Sequence, residues 1–189
     1  ELEKEKEKTE QLLLNILPPD TVGELKYKGK ASARSYRTVS VLLADVKGFT
    51  RISEKLRPKQ LVAQLDAYFI KFDEILERHN MEKIKTMGDA YMCAGGLPIR
   101  NKSNPIDAVL AGLKIQEFVK DYNSKKGGVP WEFRIGIHTG DLVAGVVGIK
   151  KFAYDIWGDT VNVTKRIETA GEVGRVNISG ETYDKVKDF

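Results

Sequence analysis

The chain contains very little cysteine and no long apolar run. Its 189 residues include a single cysteine, Cys93, so no disulfide can form within the chain, and a reducing compartment such as the cytoplasm is expected. No stretch approaches the roughly 18 consecutive apolar residues of a membrane-spanning helix. We therefore expect a cytoplasmic domain, while membrane anchoring of a longer parent protein stays open.

Several common catalytic patterns are missing as well. The two histidines, His79 and His138, show neither a Ser-His-Asp order nor zinc-ligand spacing, and we expect both to be structural. The glycine-rich loop of P-loop proteins, with its terminal Lys-Ser or Lys-Thr, is also absent. The net charge of +4 suits an anionic ligand. No basic stripe with interleaved aromatic residues is present, so no nucleic-acid partner is expected.

The sequence does contain two aspartates at the ends of predicted strands. Residues 82–94 alternate as a strand, a tight turn at Gly88 and a second strand, with Asp89 at the tip of this hairpin. Residues 38–45 indicate a buried strand that ends at Asp45, before a turn that contains Gly48. A carboxylate at such a tip is most often only a turn former. Two of them, each beside a glycine, predict a Mg²⁺ site, because hard cations prefer oxygen ligands.

The first 38 residues divide into a helix and a polar segment. Residues 1–17 are rich in charge and place five residues at alternating spacings of four and three, namely Leu2, Lys6, Thr9, Leu13 and Ile16. Two of these are polar, so the pattern indicates either a coiled-coil helix or a solvated helix end, and we expect the helix to continue upstream. Pro18 and Pro19 end it. Residues 18–38 are predicted to be a linker, without regular structure from Asp20 to Arg37.

The remaining residues, 39–189, are predicted to form one α+β domain. Amphipathic helices are expected at 58–79 and 105–125. Residues 131–148 alternate as a hairpin that turns at Gly140, and 152–157 indicate a short strand. Asp159 is predicted to cap a helix that runs to about Ala170. This order predicts a ferredoxin-like antiparallel sheet with flanking helices on one face.

Three further polar residues invite a functional interpretation. Arg134 lies in an alternating strand, where it is either a solvent-facing residue or a ligand for an anion. Asn162 and Arg166 are four residues apart and so share one helix face. A guanidinium there can bind a phosphate, although a surface ion pair is the commoner reason for such an arginine.

Four motifs together resemble the class III adenylyl and guanylyl cyclases. They are Val41-Leu-Leu-Ala-Asp45-Val-Lys-Gly-Phe-Thr50, Lys85-Thr-Met-Gly-Asp89, Arg134-Ile-Gly-Ile-His-Thr-Gly140 and Asp155-Ile-Trp-Gly-Asp-Thr-Val-Asn162-Val-Thr-Lys-Arg166. The motifs stand in the family's order, from about Val39 to the C-terminus. Asn15-Ile-Leu-Pro18 also resembles the joint that precedes many of these catalytic domains. The resemblance therefore implies an upstream sensor domain in the parent protein.

The resemblance implies a role for each matching residue in the metal and phosphate part of the site. Asp45 and Asp89 match the ligands of two Mg²⁺ or Mn²⁺ ions, with the Val46 carbonyl as an added ligand. One ion would activate the ribose 3′-hydroxyl for attack on the α-phosphorus, and the other would hold the leaving pyrophosphate. Backbone amides at Gly48, Phe49 and Thr50 would bind the triphosphate. Arg134 matches a phosphate-binding arginine.

The other matches concern the ribose, the α-phosphate and the base. Asn162 matches the residue that orients the ribose, and Arg166 the one that neutralises charge on the α-phosphate. Lys85 and Asp155 match the purine-selecting pair. A lysine and an aspartate complement the N1 acceptor and the 6-amino donor of adenine, whereas guanine presents the reverse pattern at that edge. The resemblance therefore implies an adenylyl cyclase that converts ATP to cyclic AMP and pyrophosphate.

Two features of the family bear on the oligomer and on the C-terminus. In the family, the metal aspartates and the base-selecting lysine of one site come from different catalytic domains, so a homodimer with composite sites is implied. The family also has a triphosphate-contacting lysine roughly 35 residues beyond the position of Arg166. Lys185 and Lys187 lie too early to be that residue. We therefore expect the catalytic domain to be truncated here at its C-terminal end.

Alternative interpretations stay open at this stage. The chain can be a guanylyl cyclase, or a degenerate cyclase that binds nucleotide or dimerises in order to regulate a partner. A degenerate domain is expected to have lost a metal aspartate or the Asn-Arg pair, and neither is lost here. Another two-metal phosphoryl-transfer enzyme on a ferredoxin-like fold would carry its own motif, and none is present.

Overall fold

A computed structural model describes residues 2–189 of the chain. In order, its elements are α1 (Leu2–Ile16), α2 (Pro19–Lys28), β1 (Arg34–Val46), α3 (Phe49–Lys55), α4 (Pro58–Glu77), β2 (Met81–Met87), β3 (Ala90–Gly95), α5 (Asn104–Lys126), β4 (Phe133–Val146), β5 (Tyr154–Trp157), α6 (Asp159–Thr169), β6 (Val176–Ile178) and α7 (Gly180–Val186). The α+β class and the hairpin of residues 82–94 are confirmed.

The strands form one sheet in the order β2-β3-β1-β4-β5, and β6 pairs with β4 as well. Strands β1 and β4 are the longest, and they pair antiparallel from Arg34↔Ala144 to Val46↔Phe133. The other edge of β4 is shared, because β6 runs parallel to residues 135–137 while β5 runs antiparallel to residues 143–146. The sheet curls so far that β5 contacts β2, the strand at the opposite end of the order.

One face of the sheet packs against the two long helices, α4 and α5. Strand residues with this orientation, such as Leu42, Tyr91 and Ile135, are buried together with Phe72 of α4 and Ile115 of α5. Alternation along each strand sends every second side chain to this face, which is the period of two that the sequence shows. Cys93 lies in the same core with its side chain fully buried, and burial raises the pKa of its thiol. It is therefore a core thiol, as predicted.

The other face of the sheet is also covered, which corrects two predictions. Residues 20–37 do not lack regular structure, because α2 spans Pro19–Lys28 and β1 begins at Arg34. Leu17 and Val22 are buried in a second core with strand residues such as Val41. Helix α6 contributes Val161 to this core, so the flanking helices are not confined to one face. The prediction failed because this segment has only a few apolar residues among many polar ones, and those few are buried.

Two local predictions after the long helices are wrong. Gly140 is not a turn, because β4 runs unbroken through it and pairs it with Val39. A side chain at Gly140 would place its Cβ 2.4 Å from Oγ1 of Thr160, so the close approach of α6 explains this glycine. Asp159 is not the helix cap, since Gly158 occupies that position and α6 starts without a side-chain cap. The acidic side chain still lies in the first turn, where it suits the helix dipole.

The N-terminal helix α1 has no buried residue and leaves most of its apolar side chains exposed. It is followed at once by α2, with which it makes the exposed ion pair between Glu10 and Lys26. The coiled-coil interpretation of residues 1–17 stays a prediction. None of the helices within residues 2–189 combines the length and the apolar character needed to cross a bilayer.

We predict that the segment before β1 contributes to the stability of the domain. Leu17→Ala should lower the free energy of unfolding by about 2–4 kcal/mol, because Leu17 is only 2% exposed and its truncation leaves a cavity in the second core. Leu12→Ala, at a position 62% exposed and outside the predicted heptad seam, is the control and should change it by less than about 0.5 kcal/mol. Urea denaturation measures both, and equal effects would mean that the segment is only a linker.

Candidate active site

The two predicted metal aspartates are brought together by the strand order. Asp45 lies near the end of β1, and Asp89 lies in the turn that joins β2 to the neighbouring strand β3. Burial, and then the hydrogen bond and the charge of Asp45, raise the pKa of Asp89 to about 6. Such a rise is expected for a partly buried carboxyl group that adjoins a second carboxylate.

This donor set suits a divalent cation. Residues 2–189 contain no cluster of three or more His, Cys, Asp or Glu side chains that could hold a metal by themselves. The two carboxylates, with the Val46 backbone N–H bonded to Asp89, would leave coordination positions for water or phosphate oxygens. That is the arrangement typical of Mg²⁺ at phosphate-transferring sites. The pair of carboxylates is therefore a candidate metal site.

Arg134 lies beside Asp45 on the neighbouring strand. The two residues are directly paired in the register of β1 and β4, so their side chains lie on the same face. A guanidinium nitrogen of Arg134 is 3.8 Å from Oδ2 of Asp45, and Nε is 3.0 Å from Oε1 of Glu168. Glu168 has a fully buried side chain. Arg134 is therefore held in place, unlike a mobile solvent-facing residue.

Lys165 completes this charged network. Its Nζ lies 2.7 Å from Oε2 of Glu168 and 3.2 Å from Oδ2 of Asp45. Burial alone would lower the pKa of Lys165, but the hydrogen bonds to Glu168 and Asp45 outweigh burial and raise it. Two cations and two anions therefore alternate around one end of β1 and β4. The network is made by α6 packing against the sheet.

The glycines of β4 allow this packing. A Cβ at Gly136 would lie 2.2 Å from the backbone nitrogen of Glu168, which is too short for any non-bonded contact. Because Gly136 and Arg134 point to the same face of β4, the helix can bring the Glu168 carboxylate down beside the arginine. A larger residue at this position would move the helix away from the sheet.

Lys85 and Asp155 form a second group of predicted site residues. Their side chains make a 2.6 Å ion pair between β2 and β5, the two strands that the curl of the sheet brings together. The second carboxylate oxygen of Asp155 accepts a hydrogen bond from the backbone N–H of Ile156 at 2.8 Å. This bond fixes the plane of the carboxylate. Both side chains are partly exposed, so a ligand can reach them.

A model of the family described as the adenylate and guanylate cyclase catalytic domain matches residues 31–189. The chain belongs to this family. The predicted resemblance to class III cyclases and the fold class are thereby confirmed, since the match spans the sheet and both groups of residues described above.

The relatives of this cyclase domain include enzymes named for either purine nucleotide. It is 37% identical over 188 residues to an adenylate cyclase of Mycobacterium bovis and 39% identical over 185 residues to guanylyl cyclase C of Sus scrofa. These matches cover 99% and 97% of the chain but 42% and 17% of the relatives, so the chain spans less than half of their length.

Among solved structures, the domain is similar to the catalytic core of a rhodopsin-guanylyl cyclase with converted specificity, in complex with ATPαS. The TM-score is 0.78 at 34% identity, and the match covers 82% of this chain and 84% of that chain. The identities to adenylyl and guanylyl cyclases are similar, so they do not indicate whether the substrate is ATP or GTP. Individual residues have to decide this.

Asn162 and Arg166 of the cyclase domain stand apart from both groups. They lie on the exposed face of α6, and the only ionic partner of Arg166 in residues 2–189 is the exposed Asp159 at 3.8 Å. Glu168 occupies the opposite, sheet-facing side of the same helix, and Lys165 lies at the edge between the two sides, 52% exposed. Asp45 is therefore paired with Arg134 and Lys165, and Lys85 is separately paired with Asp155, whereas within residues 2–189 neither Asn162 nor Arg166 makes an ion pair or side-chain hydrogen bond with these residues.

Sequence reasoning missed Lys165 and Glu168. Their spacing of three on a helix is the only local signal of a pair, and many exposed helix surfaces show the same spacing. His79 and His138, which were expected to be structural, bond to the Ile75 carbonyl at 2.7 Å and to the Ser179 hydroxyl at 2.8 Å. Neither contacts the site.

We predict that Gly136→Ala displaces α6 and destabilises the domain by about 2–3 kcal/mol, because the added methyl group overlaps the backbone of Glu168. Gly23→Ala is the control, since no atom lies within 4 Å of an added Cβ in α2, and it should raise stability by about 0.5–1 kcal/mol. Thermal unfolding of both variants measures the difference. A Gly136→Ala protein as stable as wild type would show that α6 does not approach β4 this closely.

Proposed function

We propose that this cyclase domain converts ATP to 3′,5′-cyclic AMP and pyrophosphate, at sites shared between two copies of the chain. Cyclase membership is given by the family, whereas the choice of ATP over GTP rests on the residues that would face the base. The single observation that carries this choice is the ion pair between Lys85 and Asp155.

The pair offers a donor and an acceptor side by side. Lys85 can donate to N1 of adenine, and Asp155 can accept from the 6-amino group, while each keeps part of its interaction with the other. Because the Ile156 amide holds the second oxygen of Asp155, this carboxylate cannot simply turn away to suit another base. Guanine would set its N1–H donor and its O6 acceptor against the opposite partners. Unpaired polar groups in such a site reduce affinity strongly.

Asp45, Asp89 and the Val46 carbonyl would hold Mg²⁺ or Mn²⁺, with two ions in the complete site. When bound, the ions would supply charge that favours ionisation of the ribose 3′-hydroxyl and departure of pyrophosphate. Arg134 would bind a phosphate oxygen beside Asp45. The backbone N–H groups from Gly48, Phe49 and Thr50, at the start of α3, would bind the triphosphate.

Asn162 and Arg166 would act on the reacting atoms. The Asn162 amide would hold the ribose so that its 3′-oxygen is in line with the α-phosphorus. Arg166 would neutralise the charge that develops on the α-phosphate as the new bond forms. Both side chains are exposed on α6, on the side opposite the buried Glu168, and Arg166 pairs only with the exposed Asp159 within residues 2–189. A second copy would bring these two residues to the carboxylates.

The surface around the β4–β5 connection supports this homodimer. Its apolar side chains Val147, Ile149 and Phe152 are exposed. An exposed apolar group of this kind is typical of an interaction surface. A two-fold homodimer would supply two equivalent sites, each with Asp45, Asp89 and Arg134 from one chain and Lys85, Asp155, Asn162 and Arg166 from the other.

The N-terminal helix supports a regulatory role for the parent protein. If α1 forms a parallel coiled coil with its copy, it would hold the catalytic domains in register and could transmit a movement from an upstream sensor.

The alternatives are a guanylyl cyclase and a degenerate regulatory module. Asp155, in the pair that would face the purine, argues against a guanylyl cyclase. The presence of both Asp45 and Asp89 argues against a degenerate module.

Steady-state kinetics with ATP and GTP test the proposal. Full-length protein should convert ATP to cyclic AMP with a kcat/KM at least about tenfold above that for GTP. The double variant Lys85→Glu with Asp155→Cys should shift this ratio toward GTP, because the charge pattern facing the base is changed. Either single variant should mainly lose activity with ATP.

Lys83→Glu is the matched control, because Lys83 lies on the same strand but pairs with Asp73. It should leave the ratio of ATP to GTP unchanged. A wild-type preference for GTP, or a ratio that does not move in the double variant, would contradict the assignment of Lys85 and Asp155. Failure to convert either nucleotide in the presence of Mn²⁺ would instead favour the regulatory module.

A further inference from the structure

Two cationic side chains approach the same oxygen of a metal-binding carboxylate from different elements. Lys165 of α6 places Nζ 3.2 Å from Oδ2 of Asp45, and Arg134 of β4 places a guanidinium nitrogen 3.8 Å from that oxygen. Arg134 has a role in the proposed function, whereas Lys165 has none. Its side chain is 52% exposed, so it can move without disturbing the core.

Glu168 remains the anionic partner of both cations when Asp45 binds a metal ion. Its fully buried carboxylate binds Arg134 through one oxygen at 3.0 Å and Lys165 through the other at 2.7 Å. While Asp45 is available, two anions balance two cations. Once Asp45 binds a divalent ion, one buried anion remains for two cations, and the surplus positive charge lies at the edge of the site.

We propose that Lys165 is a further triphosphate-binding residue, which pairs with Asp45 in the absence of metal and with a phosphate oxygen when metal and nucleotide are bound. This inference rests on the proposed function, because it assigns the phosphate side of the same site. Lys165 would act from the same chain as Asp45 and Arg134. Glu168 is a positioning residue that keeps the lysine within reach.

The distances allow this exchange of partners. A phosphate oxygen bound to the same divalent ion as Asp45 would lie within about 4 Å of the carboxylate oxygen, since each metal–oxygen bond is about 2.1 Å. Lys165 already contacts that carboxylate oxygen, so a small rotation of its flexible side chain reaches the phosphate. A divalent ion at Asp45 would also repel the ammonium group. Loss of the old partner and gain of the new one therefore occur together.

The proposal predicts effects of opposite sign in one variant. Lys165→Met keeps the apolar stem but removes the charge. Mn²⁺ should bind the nucleotide-free variant up to about fivefold more tightly, because a competing but exposed ion pair is lost. The Mn²⁺ complex of α,β-methylene-ATP should bind about tenfold more weakly, because a charge-assisted hydrogen bond is lost. Electron paramagnetic resonance of free Mn²⁺ and calorimetry with the analogue measure the two constants on full-length protein.

Lys114→Met is the matched control, since Lys114 and Glu117 form the same i,i+3 pair at 2.6 Å on α5, away from the site. It should change neither constant. Lys165→Arg should retain most of the nucleotide affinity, because it retains the charge. A general weakening of the fold would affect both ligands in the same direction, which the opposite signs exclude.

An unchanged affinity for the analogue in Lys165→Met would overturn the proposal, and so would weaker Mn²⁺ binding without nucleotide. These results can be separated from failure of the proposed function. If wild type forms cyclic AMP and Lys165→Met has the wild-type KM for ATP, only the role of Lys165 is wrong. If wild type converts no nucleotide, the two binding constants still test Lys165.

Discussion

Helix α6 lies so close to strand β4 that no side chain fits between them at Gly136, and the candidate active site depends on this contact. The approach buries the carboxylate of Glu168 beside Arg134 and brings Lys165 to Asp45. A buried carboxylate without partners would be strongly unfavourable, so Glu168 and its two cations stabilise one another. The same approach leaves the opposite face of α6, with Asn162 and Arg166, directed to solvent.

The fold therefore places the candidate site residues in sets that lie apart from one another within one chain. The ends of β1 and the β2–β3 hairpin supply the carboxylates, because β3 lies beside β1 in the sheet. The curl that brings β5 to β2 supplies the ion pair of Lys85 with Asp155. Each set is ordered by contacts within the chain. Their separation is the physical argument for a composite site, and it gives the exposed residues near the β4–β5 connection a reason to be apolar.

The sequence predicted features that neighbouring residues determine, and it did not predict contacts between residues far apart in the chain. The hairpin at Gly88 follows from neighbouring residues, and it was predicted correctly with Asp89 in its turn. Gly140 was misread as a turn, because a glycine can serve a turn or a close contact, and its partner Thr160 lies on a later helix. Helix α2 was missed because its single buried residue, Val22, is embedded among polar neighbours. Lys165 meets Asp45 across 120 positions of sequence, a distance that no local pattern reports. The roles of the site residues rested on the family's motifs, and they stay predictions.

The central claim is that each site takes Asp45 from one chain and Arg166 from its partner, and complementation between inactive variants tests it most directly. Asp45→Ala and Arg166→Ala homodimers of the full-length protein should each lack cyclase activity. After equal mixing with confirmed subunit exchange, activity should return to roughly a quarter of the wild-type value, because about half of the dimers are mixed and each has one intact site. Activity that stays at background after confirmed exchange would contradict the shared site.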